Sequence, residues 1–178
     1  MWVMQVLVGV LLADLVSGLV HWFEDAYVHA DMPVLGQWLA RVAEDNRLHH
    51  HTPRAFLTKT WWQSSWDLVL LSGLVLAIAW WLQCLNAGVW VFALITANAN
   101  QLHKWTHQNR QEKGAPVHTL QQWRILQTPR AHGRHHSGAR DSDYCVVTNV
   151  LNPVLEALRF WKRLEGLILH TTGVRRLA

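Results

Sequence analysis

Residues 2–20 read WVMQVLVGVLLADLVSGLV, a stretch of 19 residues with a single charge at Asp14. A membrane-spanning helix needs about 17–25 mostly apolar residues, so this stretch is long enough to cross a bilayer. It has neither a basic segment before it nor a small-residue cleavage site after it, as a signal peptide would have. We therefore expect a retained membrane helix.

Two further stretches are apolar and carry no charged residue. Residues 68–85 form a stretch of 18 residues, and residues 88–102 a stretch of 15 whose helical pattern continues to His107. Asn86 and Ala87 leave room only for a tight turn, so these stretches should form an antiparallel helical hairpin. With 51% hydrophobic and 16% charged residues, the chain is predicted to be an all-α integral membrane protein with about three membrane helices.

The positive charges are distributed unevenly. All 16 Lys and Arg residues lie in residues 21–67 or after residue 102, and the turn between the second and third stretches has none. By the positive-inside rule, the amino terminus lies outside and both charged regions are cytoplasmic. A net charge of +4 can indicate nucleic acid as a partner, but this segregation argues for no nucleic acid. We expect a multi-pass protein of a bacterial inner membrane, or of the endoplasmic reticulum in a eukaryote.

The first and third apolar stretches each turn one polar face toward the interior of the predicted bundle. These faces comprise Asp14, Ser17, Gly18, His21 and Asp25 on the first stretch, and Thr96, Asn100, His103 and His107 on the third. Each face ends on the inner side in an i,i+4 pair, a spacing that can place two ligand atoms on one metal. Polar groups at membrane depth are costly and are therefore candidates for function.

Two more histidine clusters lie in the predicted cytoplasmic segments. One contains His49 and His50, and the other contains His132, His135 and His136 at helical spacing. The chain thus offers eight clustered imidazoles, more than a four-ligand zinc site uses. Such ligands, without cysteine, suit two metal ions of five to six coordination and disfavour an iron–sulfur cluster. Iron is the redox metal we expect, and a set of satisfied polar helix contacts is the structural alternative.

Short helices are predicted in the second half of the chain. One should begin at Pro116 and run through Leu126, and another should begin at Thr128-Pro129. A third should begin at Asn152-Pro153 and be amphipathic. Its apolar face comprises Val154, Leu155, Leu158, Trp161, Leu164, Leu167 and Ile168, with Arg159, Lys162 and Arg163 opposite. Such a helix usually lies on the membrane surface.

Several motifs occur in a fixed order along the chain. They are residues 13–25 (ADLVSGLVHWFED), 46–50 (NRLHH), 100–107 (NQLHKWTH), Leu120-Gln121 with residues 132–136 (HGRHH), and a tail with Tyr144-Cys145, Asn149, Asn152, Phe160-Trp161 and Leu164-Glu165. In residues and internal spacing, they resemble the motifs of the Kua-type lipid desaturases, the plasmanylethanolamine desaturase family. The resemblance covers residues 13–165, most of the chain.

The resemblance implies a membrane-embedded, non-haem di-iron enzyme that uses O2. The implied ligands are His21, His49, His50, His103, His107, His132, His135 and His136, with Asp25 as a ligand or acid/base group and Asn100 supporting the ligands. Zinc could replace the two Fe ions on purification. The family's best-known reaction converts a 1-O-alkyl phospholipid to the vinyl ether of a plasmalogen, and a plant branch introduces a trans double bond into an acyl chain of phosphatidylglycerol. Electrons would come from a separate donor protein, cytochrome b5-like or ferredoxin-like.

The chain departs from the family pattern in three respects. Leu48 replaces a glutamate that could accept a hydrogen bond from a ligating histidine, His51 is extra, and about three spans are predicted where the family usually has four.

Residues 1–178 would form a single desaturase domain. Basic residues on the inner side, such as Arg124, Arg130 and Arg134, could dock an acidic electron donor or phosphate headgroups, or be ordinary membrane-facing charge.

Two other functions remain open from the residues alone. A lipid hydroxylase would share the same cage and add oxygen instead of forming a double bond. A metal-binding or metal-transport membrane protein would also use many histidines, but its ligands should run through the bilayer. Here they gather at one end of the predicted spans.

Overall fold

The computed structural model describes residues 1–29, 36–137 and 140–177. These parts of the chain form nine α-helices and one 3-10 helix, without a β-strand. The helices are α1 (Trp2–Tyr27), α2 (Gly36–His51), α3 (Trp61–Trp81), α4 (Ala87–Ala97), α5 (Ala99–His107), α6 (Arg110–Gln122), α7 (Pro129–His135), α8 (Leu151–Ala157) and α9 (Phe160–Thr172), with the 3-10 helix Pro53–Thr58 between α2 and α3. The predicted all-α class is confirmed for these residues.

Two of the helices, α1 and α3, are long and apolar enough to cross a membrane. The third predicted span is divided, because α4 and α5 meet at Asn98, with φ −110° and ψ 7°. The Asn98 side chain donates to the carbonyl of Leu94, so it competes with the helical hydrogen bonds at this point. With 11 residues, α4 alone rises about 16 Å, roughly half of a bilayer's hydrocarbon core.

Helix α4 packs against both α1 and α3. Its contact with α1 is close, since a Cβ atom at Gly9 would clash with the carbonyl of Gly88, and one at Gly88 would lie 2.5 Å from the carbonyl of Gln5. Small residues permit this kind of helix packing in membranes. The predicted hairpin between the second and third apolar stretches is present, with Asn86 accepting from the Gly88 N–H at 2.9 Å to cap α4.

An irregular segment, residues 144–148, is buried against α1. Backbone groups in such a segment need hydrogen-bond partners because water does not reach them. Asp14, in the middle of α1, accepts from the N–H groups of Val147 at 2.9 Å and Thr148 at 3.2 Å, and from the Thr148 hydroxyl at 2.5 Å. The charge in the first apolar stretch therefore holds a loop against the helix.

Cys145 lies at the centre of this buried segment. The Asn152 side chain accepts from its N–H at 2.9 Å and donates to its carbonyl at 2.8 Å, and the Gln127 amide also donates to that carbonyl. Gly18 provides the space on α1, because a Cβ atom there would lie 2.6 Å from the Cys145 sulfur. The segment is thus fixed from three sides.

The short helices differ in part from their predicted bounds. Helix α6 begins at Arg110 and ends at Gln122, and Gly114, with φ 74°, divides it just before the predicted start at Pro116. The start at Thr128-Pro129 is confirmed, since the Thr128 hydroxyl caps α7. The prediction of a single amphipathic helix after Asn152-Pro153 is wrong. Two helices, α8 and α9, are present instead, and they are separated at Arg159, whose backbone is left-handed at φ 49°.

Candidate metal centre

The predicted ligands lie near the carboxyl ends of four helices. Helix α1 provides His21 and Asp25, α2 provides His49 and His50, α5 provides His103 and His107, and α7 provides His132 and His135, with His136 as its C-cap. The structure brings all nine side chains together in two groups. For example, the ring centroids of His21 and His135 are 4.4 Å apart although they lie on α1 and α7.

The first group, the five-histidine group, consists of His49, His103, His107, His132 and His136. One nitrogen of each lies within 4.8 Å of the others. The Nε2 atom of His132 is 2.8 Å from that of His103 and 3.0 Å from those of His107 and His136. One imidazole nitrogen either donates or accepts, so three such neighbours do not form a consistent hydrogen-bond network. Nitrogens at right angles around a metal about 2.1 Å away lie about 3 Å apart, which fits these distances.

The second group, the Asp25 group, consists of His21, Asp25, His50 and His135. One carboxylate oxygen of Asp25 is 2.9 Å from Nε2 of His50. The other is 3.1 Å from Nε2 of His135 and 3.8 Å from Nε2 of His21. Neither cysteine belongs to either group. A set of imidazoles and one carboxylate is typical of iron and zinc sites.

Two backbone carbonyls fix ring orientation in the Asp25 group. Nδ1 of His21 lies 3.1 Å from the carbonyl of Tyr144, and Nδ1 of His135 lies 2.8 Å from the carbonyl of Ser142. Because a carbonyl only accepts, each Nδ1 carries a proton, and Nε2 is the ring atom left to bind a metal. For His135, Nε2 lies 3.1 Å from a carboxylate oxygen of Asp25. A metal ion held by both atoms would fit this geometry.

Buried atoms without partners lead to the same conclusion. Within the described residues, Nε2 of His21, Oδ2 of Asp25, Nε2 of His49 and Nε2 of His135 are buried and have no hydrogen-bond partner. Each such atom costs about 1–3 kcal/mol when it is left unsatisfied. A metal ion in each group would satisfy them, so the residues present fit a pair of ions.

The protonation state of the rings outside the membrane-spanning helices suits metal binding. Burial, reinforced by neighbouring imidazoles, lowers the pKa of His49 and His132 well below the usual histidine value. The same causes lower the pKa of His136 to about 2. These rings are therefore neutral at pH 7, which is the form that binds metals.

Asn46 is a site residue that the sequence analysis does not single out. Its amide donates to the carboxylate of Asp25, one helical turn before His50 on α2. The i,i+4 spacing of Asn46 and His50 is the signal that could have identified it. Asn100, expected to support the ligands, donates instead to the carbonyl of Ser64 and so ties α5 to α3.

Lys104 is a second residue that the sequence analysis does not single out. It is buried beside His103, and its ammonium group donates to the carbonyl of Lys59 at 2.7 Å and to the hydroxyl of Ser64 at 2.9 Å. The ammonium also lies 5.0 Å from the centroid of the Phe56 ring. It therefore anchors α5 to the start of α3 beside the five-histidine group.

The remaining histidines lie outside both groups. His29, His51 and His170 are exposed, and His118 is half-buried. Leu48, which stands where the resembling family has glutamate, is also exposed, so this position does not face the ligand rings.

Comparison with known proteins identifies related chains. The sequence profile of a family described as the lipid desaturase domain matches residues 10–177. Plasmanylethanolamine desaturase 1 of Mus musculus is 33% identical over 96% of this chain, which spans 66% of the mouse protein. Plasmanylethanolamine desaturase of Myxococcus xanthus is 33% identical over 95% of this chain, which spans 61% of the bacterial protein. Fatty acid desaturase 4-like 1, chloroplastic, of Arabidopsis thaliana is 29% identical over 94% of this chain, which spans 56% of the plant protein. No solved structure matches the chain.

Proposed function

The chain belongs to the lipid desaturase domain family, and on this premise we propose that it converts a 1-O-alkyl ether phospholipid into the 1-O-vinyl ether of a plasmalogen. Family membership itself supports a lipid desaturase, an oxidoreductase acting on a lipid. Two relatives named plasmanylethanolamine desaturase, each at 33% identity, support the ether substrate. The observation that carries the redox assignment is the pair of buried ligand groups. Residues 1–178 would act as one desaturase domain.

We assign two iron ions to these groups. His49, His103, His107, His132 and His136 would hold one ion, and His21, Asp25, His50 and His135 would hold the other. Iron, when bound, activates dioxygen and supplies the oxidising power that removes hydrogen from an unactivated carbon. Zinc would suit the same donors and could replace iron on purification.

The proposed reaction balances with two electrons from outside. The group O–CH2–CH2 of the alkyl chain, with one O2, two electrons and two protons, gives O–CH=CH and two waters. The chain's own residues would hold the reacting carbons against the ligand rings and exclude bulk water, because the rings lie in a buried cage. Asp25 would complete the second ligand set, or act as an acid/base group that moves a proton at its Oδ2 atom.

The electrons would come from a separate one-electron donor protein, cytochrome b5-like or ferredoxin-like. Arg124 and Arg130 are exposed and unpaired within the described residues, so either could meet an acidic donor or a phosphate headgroup. Arg134 pairs with Asp143 at 2.7 Å, which makes it a weaker candidate. We place this multi-pass chain in a bacterial inner membrane, or in the endoplasmic reticulum if it is eukaryotic, with the cage on the cytoplasmic side.

The test is lipid profiling by mass spectrometry of a host that expresses the protein and receives a 1-O-alkyl phospholipid. We expect an acid-labile product two mass units lighter, and about two iron ions per chain in the purified protein. His103→Ala should lose the product and metal, because His103 belongs to the five-histidine group. His170→Ala should keep both, because this exposed residue lies outside both groups. Equal effects of the two substitutions would contradict the assignment.

The same profile separates the other functions. A two-unit loss confined to acyl lipids would replace the ether substrate by an acyl chain, as the Arabidopsis relatives' names suggest for those proteins. A product with added oxygen would identify a hydroxylase. Ion flux through liposomes without any lipid product would identify a metal transporter.

A further inference from the structure

A row of buried aromatic rings leads away from the Asp25 group. The Tyr144 ring centroid lies 5.0 Å from that of His135, the Trp161 centroid lies 4.9 Å from Tyr144, and the Trp22 centroid lies 6.0 Å from Trp161. Among the tryptophans whose side chains the structure describes, only Trp22 and Trp161 are buried. The row therefore joins the cage to two buried tryptophans.

The polar ends of these rings differ in their contacts. The Trp22 indole N–H donates to a carboxylate oxygen of Glu165 at 3.2 Å. The Trp161 indole nitrogen is buried without a partner among the described residues. The Tyr144 hydroxyl donates to the carbonyl of Arg140 at 3.1 Å. A carboxylate is a much better base than an amide carbonyl, so of the three rings Trp22 has the best acceptor for its proton.

This difference gives the row a direction. An indole that loses an electron becomes a strong acid, and transfer of its proton to a carboxylate stabilises the neutral radical. Trp161 has no such acceptor, and Tyr144 has only a weak one, so neither holds a radical well. An electron vacancy that enters at Tyr144 should therefore move outward and come to rest on Trp22.

We propose that Tyr144, Trp161 and Trp22 form a path by which an unused oxidising equivalent leaves the histidine cage, with Glu165 taking the proton of Trp22. The path rests on the proposed function, which brings iron and dioxygen to the cage. Its use would be protective, because an oxidant formed without a lipid in place would otherwise attack the ligand rings themselves.

The step balances in electrons and protons. One electron moves from the Trp22 side chain through Trp161 and Tyr144 to the oxidant in the cage, which is reduced by one electron. The Trp22 indole proton moves to Glu165, leaving a neutral Trp22 radical and a protonated carboxyl group. The one-electron donor protein then returns an electron to Trp22, and Glu165 returns the proton.

The experiment uses the full chain in detergent, loaded with iron, reduced with dithionite and exposed to O2 without lipid. Electron paramagnetic resonance of protein made with ring-deuterated tryptophan detects a tryptophan radical, and peptide mass spectrometry locates oxidised tryptophans. We expect the radical and oxidation at Trp22 in the wild type and in the control Trp90→Phe, whose ring is exposed. In Trp161→Phe both signals should be lost.

Glu165→Gln is a second variant, which changes the proposed acceptor of the Trp22 proton. It keeps a side-chain oxygen for the Trp22 N–H but removes the base. We expect a radical that keeps its N–H proton, visible as a hyperfine splitting that disappears in deuterated water. Iron content and thermal unfolding show whether each variant is folded, so loss of the radical can be separated from loss of the cage.

The outcomes distinguish the path from the proposed function. An unchanged radical and unchanged Trp22 oxidation in Trp161→Phe would overturn the path and leave these residues as core packing. Oxidation of bound iron by O2 without an aromatic radical or oxidised tryptophan would also overturn the path, while the desaturase proposal would stand. Failure of the wild type to bind iron or to desaturate any lipid would overturn the proposed function and, with it, the path.

Discussion

Replacing Asp14 with alanine should release the buried segment 144–148 from α1 and weaken metal binding by the Asp25 group. Asp14 accepts three hydrogen bonds from Val147 and Thr148, and this segment carries the Tyr144 carbonyl that orients His21. The effect on the metal is therefore indirect. It passes from the carboxylate through the segment to one ring.

The magnitude follows from the contacts. Asp14 is fully buried, and its loss leaves two backbone N–H groups and one hydroxyl without an acceptor. At about 1–3 kcal/mol for each unsatisfied buried group, and with partial relaxation, the free energy of unfolding should fall by about 3–6 kcal/mol. Asp14→Asn keeps one acceptor oxygen but turns an amide N–H toward a donor, so its loss should be smaller. Removing a group that orients a metal ligand typically costs 10–100-fold in metal affinity, about the loss expected at the Asp25 group.

The assay is thermal unfolding in detergent together with Co2+ titration followed by absorption. The matched control is Asp141→Ala, because Asp141 is half-buried and its one ion pair, with the exposed Lys162, is long at 3.8 Å. Such a pair contributes about 0–1 kcal/mol, so the control should unfold like the wild type. Unfolding of Asp14→Ala at the wild-type temperature with unchanged Co2+ binding would refute the reasoning.

Three other substitutions or reactions test separate parts of the structure. Gly9→Leu should lower the free energy of unfolding by at least about 1–3 kcal/mol, since α4 leaves no space there. Gly73→Leu should have little effect, because no atom lies within 4 Å of a Cβ atom placed there. Equal melting temperatures of the Gly9 and Gly73 variants would contradict the close α1–α4 contact. Cys84 is exposed and should react with maleimide. Burial raises the pKa of Cys145, so its thiol should stay protonated and unreactive up to a pH of about 9 until the protein unfolds. Rapid labelling of both cysteines in the folded protein would argue against the buried segment. His51→Ala should leave the metal content unchanged, and loss of a metal would place this exposed residue in the cage.

Much of the site follows from helical spacing alone. His21 with Asp25, and His103 with His107, stand four residues apart, and such pairs share a face wherever a helix forms. Each of these pairs lies on a helix in the structure, on α1 and α5. The spacing does not reveal which side chains meet across helices, because that depends on tertiary packing. The division into a five-histidine group and an Asp25 group is therefore visible only in the structure.

The differences in the fold come from single residues that act against a regular pattern. The apolar stretch through α4 and α5 is uniform in hydropathy, yet the Asn98 side chain interrupts it by bonding to a backbone carbonyl. Arg159 lies on the charged face of a regular amphipathic pattern, yet its left-handed backbone ends that helix. Periodicity averages over many residues, so a break caused by one residue is not visible in it. The carbonyls of Ser142 and Tyr144 leave no trace in the pattern either, because they are backbone groups.

The two ligand groups are linked through neighbouring residues. His49 belongs to the five-histidine group and His50 to the Asp25 group, and His136 and His135 divide in the same way. Consecutive residues on a helix point about 100° apart, so the end of one helix can serve two adjacent sites only if both lie beside it. The ends of α2 and α7 therefore set the separation of the two groups as well as their composition. A shift of either helix would disturb both groups at once, so this shared support would couple the two ions proposed for these groups.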